Sequence, residues 1–365
     1  MNMKLTITGL PKSGKTTIFN ALTKGNAEVA AYASSLTPNI GMAKVPDMRL
    51  AMLEKIFRPK ETIPAEVNYV DIAGSPRAFG TGEGIGGKLL SYLTTADALL
   101  QVVRTFPEEK LPHPEGSVDP KRDIASLDLE LAFSDLAIIE RRLERVSMSS
   151  KGAKASEREA LVKEQSLLEK IKEGLEKDIP IRQQGLSETE LKMLSNYQFL
   201  TAKPMLVVLN IGEEQIAQAS QLEEEVNSAY PQFAVVALCG KLEMELAQLS
   251  NEDAEEFRQT LGLSTPALER VIDLSYHLLG LISFFTTASD ILKAWTIPNG
   301  TVAPKAAGHV HTDMEKGFIR AEVISYSDLE KCGTLAEARK RGLLKIEGKN
   351  YIVQDGDIVT FLFNI

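Results

Sequence analysis

The sequence predicts an α/β protein: a mainly parallel sheet layered with helices, an α-helical hairpin inserted into it, and a small α+β domain at the C-terminal end. β-Branched runs alternate with helix-length segments through residues 1–120 and again through 201–280, the pattern of a sheet covered by helices. Over 121–200, apolar residues recur at spacings of three, four and seven, which is a helical period. From about Leu281 the texture changes to short strands around one brief helix, so 281–365 reads as a domain of its own.

The opening strand, Lys4-Leu5-Thr6-Ile7-Thr8, runs straight into a glycine-bearing turn, and Thr17 to Lys24 reads as a helix closed by Gly25. Glu66 to Val70 is a second strand, ending at Asp71. Ala98 to Val103 and Met205 to Leu209 are near-continuous apolar runs, as in strands covered on both faces, and Phe233 to Ala237 is a fifth strand. In the insertion, Leu129, Phe133, Leu136, Leu143 and Val146 mark one helix. After the polar stretch Ser147 to Ser156, Leu161, Leu168, Ile171 and Leu175 mark its partner, giving an antiparallel coiled-coil hairpin. Ser187-Glu188-Thr189-Glu190 matches a capping box that opens a further helix. In the last part, Asn299-Gly300 signals a hairpin turn, Arg320 to Tyr326 and Tyr351 to Val353 read as strands, and Leu335 to Arg341 as a helix stopped by Gly342.

The 365 residues are 44% hydrophobic and 25% charged, the composition of a folded globular protein. No apolar run approaches the roughly 18–20 residues that cross a bilayer, and Met1 to Leu10 lacks a secretory pattern, so a cytoplasmic chain with no membrane partner is expected. Cys239 and Cys332 supply neither a disulfide framework nor metal-ligand spacing. A net charge of −9 excludes a protein whose main task is coating nucleic acid. Contact with RNA must come from a local patch, for which Arg339-Lys340-Arg341 with Lys345 and Lys349 competes with the plainer reading of a solvated face.

Gly9-Leu10-Pro11-Lys12-Ser13-Gly14-Lys15-Thr16 fits G-x-x-x-x-G-K-[ST] throughout, and it stands where that motif works, after a strand and before a helix. The glycines let the backbone curl until successive N–H groups face an anion, and the helix adds its positive end. Lys12, Ser13, Gly14, Lys15, Thr16 and Thr17 are therefore candidates to hold a polyphosphate. Lys15 would be the catalytic charge on the β- and γ-phosphates, and the Thr16 hydroxyl a ligand of Mg²⁺. Asp71-Ile72-Ala73-Gly74 ends the strand expected beside this loop. Asp71 can hold the metal through water, Gly74 can sense the γ-phosphate through its N–H, and the glycines from Gly80 to Gly87 make a segment able to change with it. Guanine-specific P-loop proteins carry N-K-x-D after a later strand; here the residues are Asn210-Ile211-Gly212-Glu213. Ile211 removes the lysine brace, and Glu213 is longer than aspartate. Strict use of GTP is therefore not expected, and ATP is admitted.

These strings, in this order, resemble the YchF or Obg-like ATPase family of translation-factor-related P-loop proteins over essentially the whole chain. The likeness runs through the loop at 9–16, Pro38-Asn39-Ile40-Gly41, Val45-Pro46-Asp47-x-Arg49-Leu50, Asp71 to Gly74 and Gly82 to Gly86. It continues in Ala294-Trp295-Thr296, His311 to Val323 and Tyr351 to Asp357. The resemblance implies that 281–365 is a TGS domain, a ubiquitin-like β-grasp module. It also implies a Mg²⁺-dependent hydrolase of ATP or GTP in which the backbone at Ile211 contacts adenine, with ribosome or RNA contact through the TGS-like domain and the hairpin. The family's Mg²⁺-binding switch threonine falls on Ser35, with Thr37 as the alternative, and its hydrophobic residue after D-x-x-G is Ser75 here. The family has a histidine at the place of His113, where an imidazole can orient or deprotonate the attacking water. A slow hydrolase, a nucleotide-gated binding module and a strict GTPase are the readings left open.

Overall fold

The computed structural model describes residues 3–25, 27, 38–72, 87–149, 154–260 and 266–364. In chain order its elements are β1 (Lys4–Thr8), α1 (Lys15–Thr23), β2 (Asn39–Lys44), α2 (Met48–Phe57), β3 (Glu61–Ile63), β4 (Glu66–Asp71), α3 (Gly87–Thr95) and β5 (Ala98–Arg104). There follow α4 (Pro120–Ser149), α5 (Ala155–Leu175), α6 (Glu188–Leu194), β6 (Met205–Asn210), α7 (Ala219–Ala229), β7 (Ala234–Leu238), α8 (Gly240–Leu246), α9 (Asn251–Thr260) and α10 (Ala267–Leu278). The last are β8 (Leu281–Ala288), β9 (Ile291–Pro298), α11 (Ala303–Val310), α12 (Thr312–Lys316), β10 (Phe318–Ser325), α13 (Tyr326–Cys332), α14 (Leu335–Lys340), β11 (Lys345–Glu347) and β12 (Asp357–Phe363). No described helix is long and apolar enough to cross a membrane.

The chain divides into two compact units, 1–41 with 68–271 and 42–67 with 272–365. The six-stranded sheet containing β1 has the order β2-β4-β1-β5-β6-β7, and β1 pairs in parallel with β4 and β5, β5 with β6, and β6 with β7. β5 and β6 are buried along their whole length, which explains why their sequences read as runs rather than alternations. Side chains from these strands, among them Leu99, Val103, Val207 and Leu209, form one apolar core with Leu89, Leu93 and Val226 of the covering helices.

α4 is a single 30-residue helix serving two cores, and this is where the periodic reading lost its phase. Its first turns, through Ile124, Leu127 and Leu131, belong to the sheet's core. From Ala132 onward it packs against α5 through Ile139, Leu168, Ile171 and Leu175. Leu129 and Phe133, expected on the buried seam, are 44% and 55% exposed. The hairpin is anchored by Asp135, which is fully buried and accepts hydrogen bonds from the N–H groups of Leu200 and Thr201, both at 2.8 Å, and from the Thr201 hydroxyl at 2.7 Å. Burial pushes its carboxyl up to about 6 against those bonds. The capping box at Ser187 forms as expected, with both reciprocal bonds to Glu190.

The second unit holds the sheet β11-β10-β12-β8-β9-β3. Residues 42–67 and 272–280 group with 281–365 in this unit. β3 pairs in parallel with β9, and Arg49 donates to Asp47 and Asp355 while its guanidinium lies 5.2 Å from the Phe285 ring centroid. Such pairing crosses more than 200 residues of sequence and leaves no local signature. Residues 121–200, expected as an insertion, lie within the first unit.

Other strand readings in this region shift. The hairpin turn between β8 and β9 is Ser289-Asp290, whose φ values of 53° and 62° put both residues in the left-handed region; Asn299-Gly300 instead leads from β9 toward α11. Tyr351 to Val353 forms only an isolated bridge at Ile352, and the strand is Asp357–Phe363, antiparallel to β10. Tyr326 opens α13 rather than closing a strand. The alanines Ala303, Ala306 and Ala307 of α11 let that helix approach the sheet closely, over Phe284, Val323 and Phe361.

Candidate nucleotide-binding site

β1 lies in the middle of its sheet, so the turn that leaves it emerges between two parallel neighbours, at the carboxyl ends where α/β sheets bind ligands. Two glycines make that turn possible. Gly9 has φ 137°, and a Cβ there would stand 2.3 Å from the Val102 carbonyl oxygen. Gly14 has φ 95°, and its Cβ would meet the Asn210 amide nitrogen at 2.1 Å. Lys12, between them, also takes a left-handed φ of 64°. α1 starts at Lys15 with no side chain capping its first amides, which leaves those donors to an anion. Thr17 lies in the same first turn.

The Lys15 ammonium is folded into the loop and donates to the carbonyls of Gly9 at 3.1 Å and Leu10 at 3.0 Å. Desolvation lowers its pKa to about 8, against the opposing attraction of Asp71. This is a cation held without a full counter-charge. Asp71, at the end of β4, is wholly buried; its Oδ2 accepts from the Thr16 hydroxyl at 2.8 Å and from the Asn39 amide at 3.3 Å. Its Oδ1 is buried and has no hydrogen-bond partner among the described residues, and the same is true of the Ser13 hydroxyl. A buried carboxylate oxygen left unsatisfied costs on the order of 1–3 kcal/mol, and the Thr16 and Asp71 oxygens are donors of the kind a hard cation takes.

Asn39 belongs to the string Pro38-Asn39-Ile40-Gly41 and not to the phosphate loop. Its functional signal is positional, since it is the first residue of β2, the neighbour of β4. Ser35, Thr37, Gly74 and Ser75 lie outside the described residues.

Asn210 ends β6 and ties three segments together. Its amide donates to the Ser13 carbonyl at 2.9 Å, and its side-chain oxygen accepts from Gly240 N–H at 3.1 Å. The residue is therefore a brace of the phosphate loop, with both ends of its amide engaged. Ile211 is buried and donates its N–H to the Leu238 carbonyl at 3.0 Å. Glu213 lies beyond it, paired with Lys241 at 2.9 Å.

His113 is 4% exposed at its side chain, and its ring is spoken for on both sides. Nε2 lies 2.9 Å from Asp123 Oδ2, while Nδ1 accepts from Glu115 N–H at 3.2 Å. Arg104 fixes the same loop by donating to the carbonyls of Phe106 and Leu111. The expectation that His113 handles the attacking water is not met by this arrangement, because neither ring nitrogen has a lone pair to spare.

Residues 4–139 match a family model described as a 50S ribosome-binding GTPase, and 281–364 match the YchF-GTPase C-terminal model, described as a protein of unknown function. The Ribosome-binding ATPase YchF of Bacillus subtilis (strain 168) is 40% identical over 364 residues, covering 98% of each chain. That of Haemophilus influenzae is 41% identical over 367 residues and covers both chains fully. Among solved structures, the Schizosaccharomyces pombe YchF GTPase aligns with a TM-score of 0.87 at 34% identity, over 99% of this chain and 98% of that one.

Proposed function

The chain belongs to the YchF family, and on that basis we propose that it is a Mg²⁺-dependent P-loop hydrolase that takes ATP, admits GTP, and works in contact with the ribosome. The observation that carries the chemistry is the loop at 9–16, with Lys15 enclosed by carbonyls and Thr16 joined to Asp71. In this reading the amides from Lys12 to Thr17 cradle the phosphates, and Lys15 turns from the Gly9 and Leu10 carbonyls to the β- and γ-oxygens. Thr16 and Asp71 hold Mg²⁺, and the unsatisfied Asp71 oxygen supports that assignment. When bound, Mg²⁺ neutralises charge on the β- and γ-phosphates. Ser35 or Thr37 and Gly74 complete the γ-phosphate side by resemblance. Asn210 orients the base end through the loop it braces, with Ile211 and Glu213 beside the purine.

Ribosome contact is assigned to the C-terminal domain, a TGS-like β-grasp, and to the hairpin of α4 and α5. Arg339 and Arg341 are partly neutralised by Glu322 and Glu337, which leaves Lys340, Lys345 and Lys349 exposed for phosphates. A cytoplasmic place follows from a ribosomal partner.

A second reading is favoured by His113. With its ring tied to Asp123 and to Glu115 N–H, it supports a protein that works chiefly as a nucleotide-gated binder with slow turnover. Two measurements separate the readings: steady-state ATP turnover with and without ribosomes, and ribosome affinity with ADP against a non-hydrolysable ATP analogue. Turnover stimulated by ribosomes supports the hydrolase; nucleotide-dependent affinity with unstimulated turnover supports the binder.

A further inference from the structure

The base end of the site holds an ion pair that the phosphate chemistry does not use. β6 and β7 run parallel with Asn210 opposite Leu238, so the segments that leave them, 211–213 and 239–241, emerge side by side. Most polar groups of these segments are already committed. Asn210 spends its side chain on Ser13 and Gly240, and Ile211 N–H goes to Leu238. Gly212 N–H goes to the Gln215 side chain at 2.9 Å, and the Gly212 carbonyl accepts from Gln215 N–H at 3.0 Å. Gln215 is itself held by the Thr105 carbonyl. The one charged group that 211–213 offers a base edge is the Glu213 carboxylate. Lys241 Nζ takes its Oε1 at 2.9 Å, with both side chains more than half exposed.

A guanine edge reads a carboxylate through two adjacent donors, N1–H and N2–H, and gains fully only when the carboxylate is free to turn both oxygens toward it. Adenine has no such pair of donors and loses nothing when one oxygen is occupied. We infer that Lys241 is a specificity-determining residue: by holding Glu213 Oε1 it turns the carboxylate toward itself and offsets part of its charge, so guanine gains less from Glu213 while adenine is unaffected. This rests on the reading of the site given above, in which the purine lies beside Glu213. It adds an active cause to the loss of guanine specificity. The Asp-to-Glu lengthening and the missing lysine of N-K-x-D weaken guanine recognition passively, whereas Lys241 competes for the acceptor directly. Because the pair is exposed, its effect is a modest ratio rather than an absolute gate.

The experiment is competition calorimetry of ATP against GTP, each with Mg²⁺, on the full chain and on Lys241→Met, which keeps most of the stem's bulk and removes the charge. The position is exposed, so the substitution leaves folding undisturbed. The affinity ratio of GTP to ATP should rise about fivefold to tenfold in the variant, the value of one regained, partly solvated charge-assisted hydrogen bond. Inosine triphosphate lacks the 2-amino group and should regain less than half of that factor. Adding Glu213→Gln to Lys241→Met should return the ratio to within about twofold of the parent, as a coupled pair requires. A ratio unchanged by Lys241→Met, an equal gain for inosine triphosphate, or a gain that survives Glu213→Gln would each overturn the inference while leaving the nucleotide site standing. Failure of the unsubstituted protein to bind either nucleotide would remove the site itself, and the inference with it.

Discussion

Raising the pH above 8 should weaken nucleotide binding, and the reason lies in how the loop holds Lys15. The Lys15 ammonium is desolvated there and compensated only by two carbonyls and by Asp71, so it releases its proton near 8 rather than near 10.5. Among phosphate oxygens the same ammonium regains counter-charge, and its pKa returns to the ordinary range or above. Binding is therefore coupled to proton uptake once the empty site has lost its proton. At pH 7 nearly every empty site carries the charge; at pH 9 about one in eleven does, so the apparent affinity for MgATP should fall about tenfold, or ~1.4 kcal/mol, between those values. Titration calorimetry in two buffers of different ionisation enthalpy measures both quantities, with proton uptake near zero at pH 7 and approaching one at pH 9. Lys15→Arg, which stays charged across this range, should bind more weakly but with a flat profile. The linkage has the opposite sign for stability: with a lowered folded pKa, the lysine's burial penalty fades as pH rises through 8, so the empty protein gains stability from this group while losing affinity. An affinity that stays constant from pH 7 to 9, with no proton uptake, refutes the assignment of Lys15 as a desolvated ammonium awaiting phosphate.

Asp71→Asn should bind ATP equally with and without Mg²⁺ in calorimetry, whereas the parent should lose at least about tenfold when the metal is chelated. Asn210→Ala leaves the Ser13 carbonyl and Gly240 N–H without their partner, and it should cost about 2 kcal/mol of stability by urea denaturation, with a further loss of nucleotide affinity as the loop loosens. Asp135→Ala removes three buried hydrogen bonds at the base of the hairpin and should destabilise by about 2–4 kcal/mol, seen as early proteolysis of 121–200 in limited digestion.

What could be read from the residues was whatever local chemistry dictates. A strand, two glycines at the two backbone angles that need them, and a helix announce a phosphate loop without knowledge of anything else, and Gly9 and Gly14 take those angles. Buried runs such as Leu206-Val207-Val208 announce central parallel strands, and Ser187 with Glu190 announces a helix start. The rest depends on partners far away in sequence. The phase of α4 changes because one helix packs on two cores, so Leu129 and Phe133 satisfy a heptad yet face solvent. The place of 42–67 is set by pairing with β9, and the β8–β9 turn is made by Ser289 and Asp290, residues that tolerate positive φ less readily than the Asn-Gly nearby. At the site, Asn210 was legible as a functional residue, but its task as a brace follows from Ser13 and Gly240 lying on either side of it. His113 looked available in a proline-flanked loop; a single acid on α4, Asp123, takes it out of play.

The most direct test is calorimetric titration of the purified chain with MgATP and MgGTP beside Lys15→Ala. Saturable one-to-one binding by the parent, weakened about a hundredfold or more by the substitution, is the predicted result. Undetectable binding of both nucleotides, or undiminished binding by Lys15→Ala, would contradict the view that residues 9–16 enclose a triphosphate.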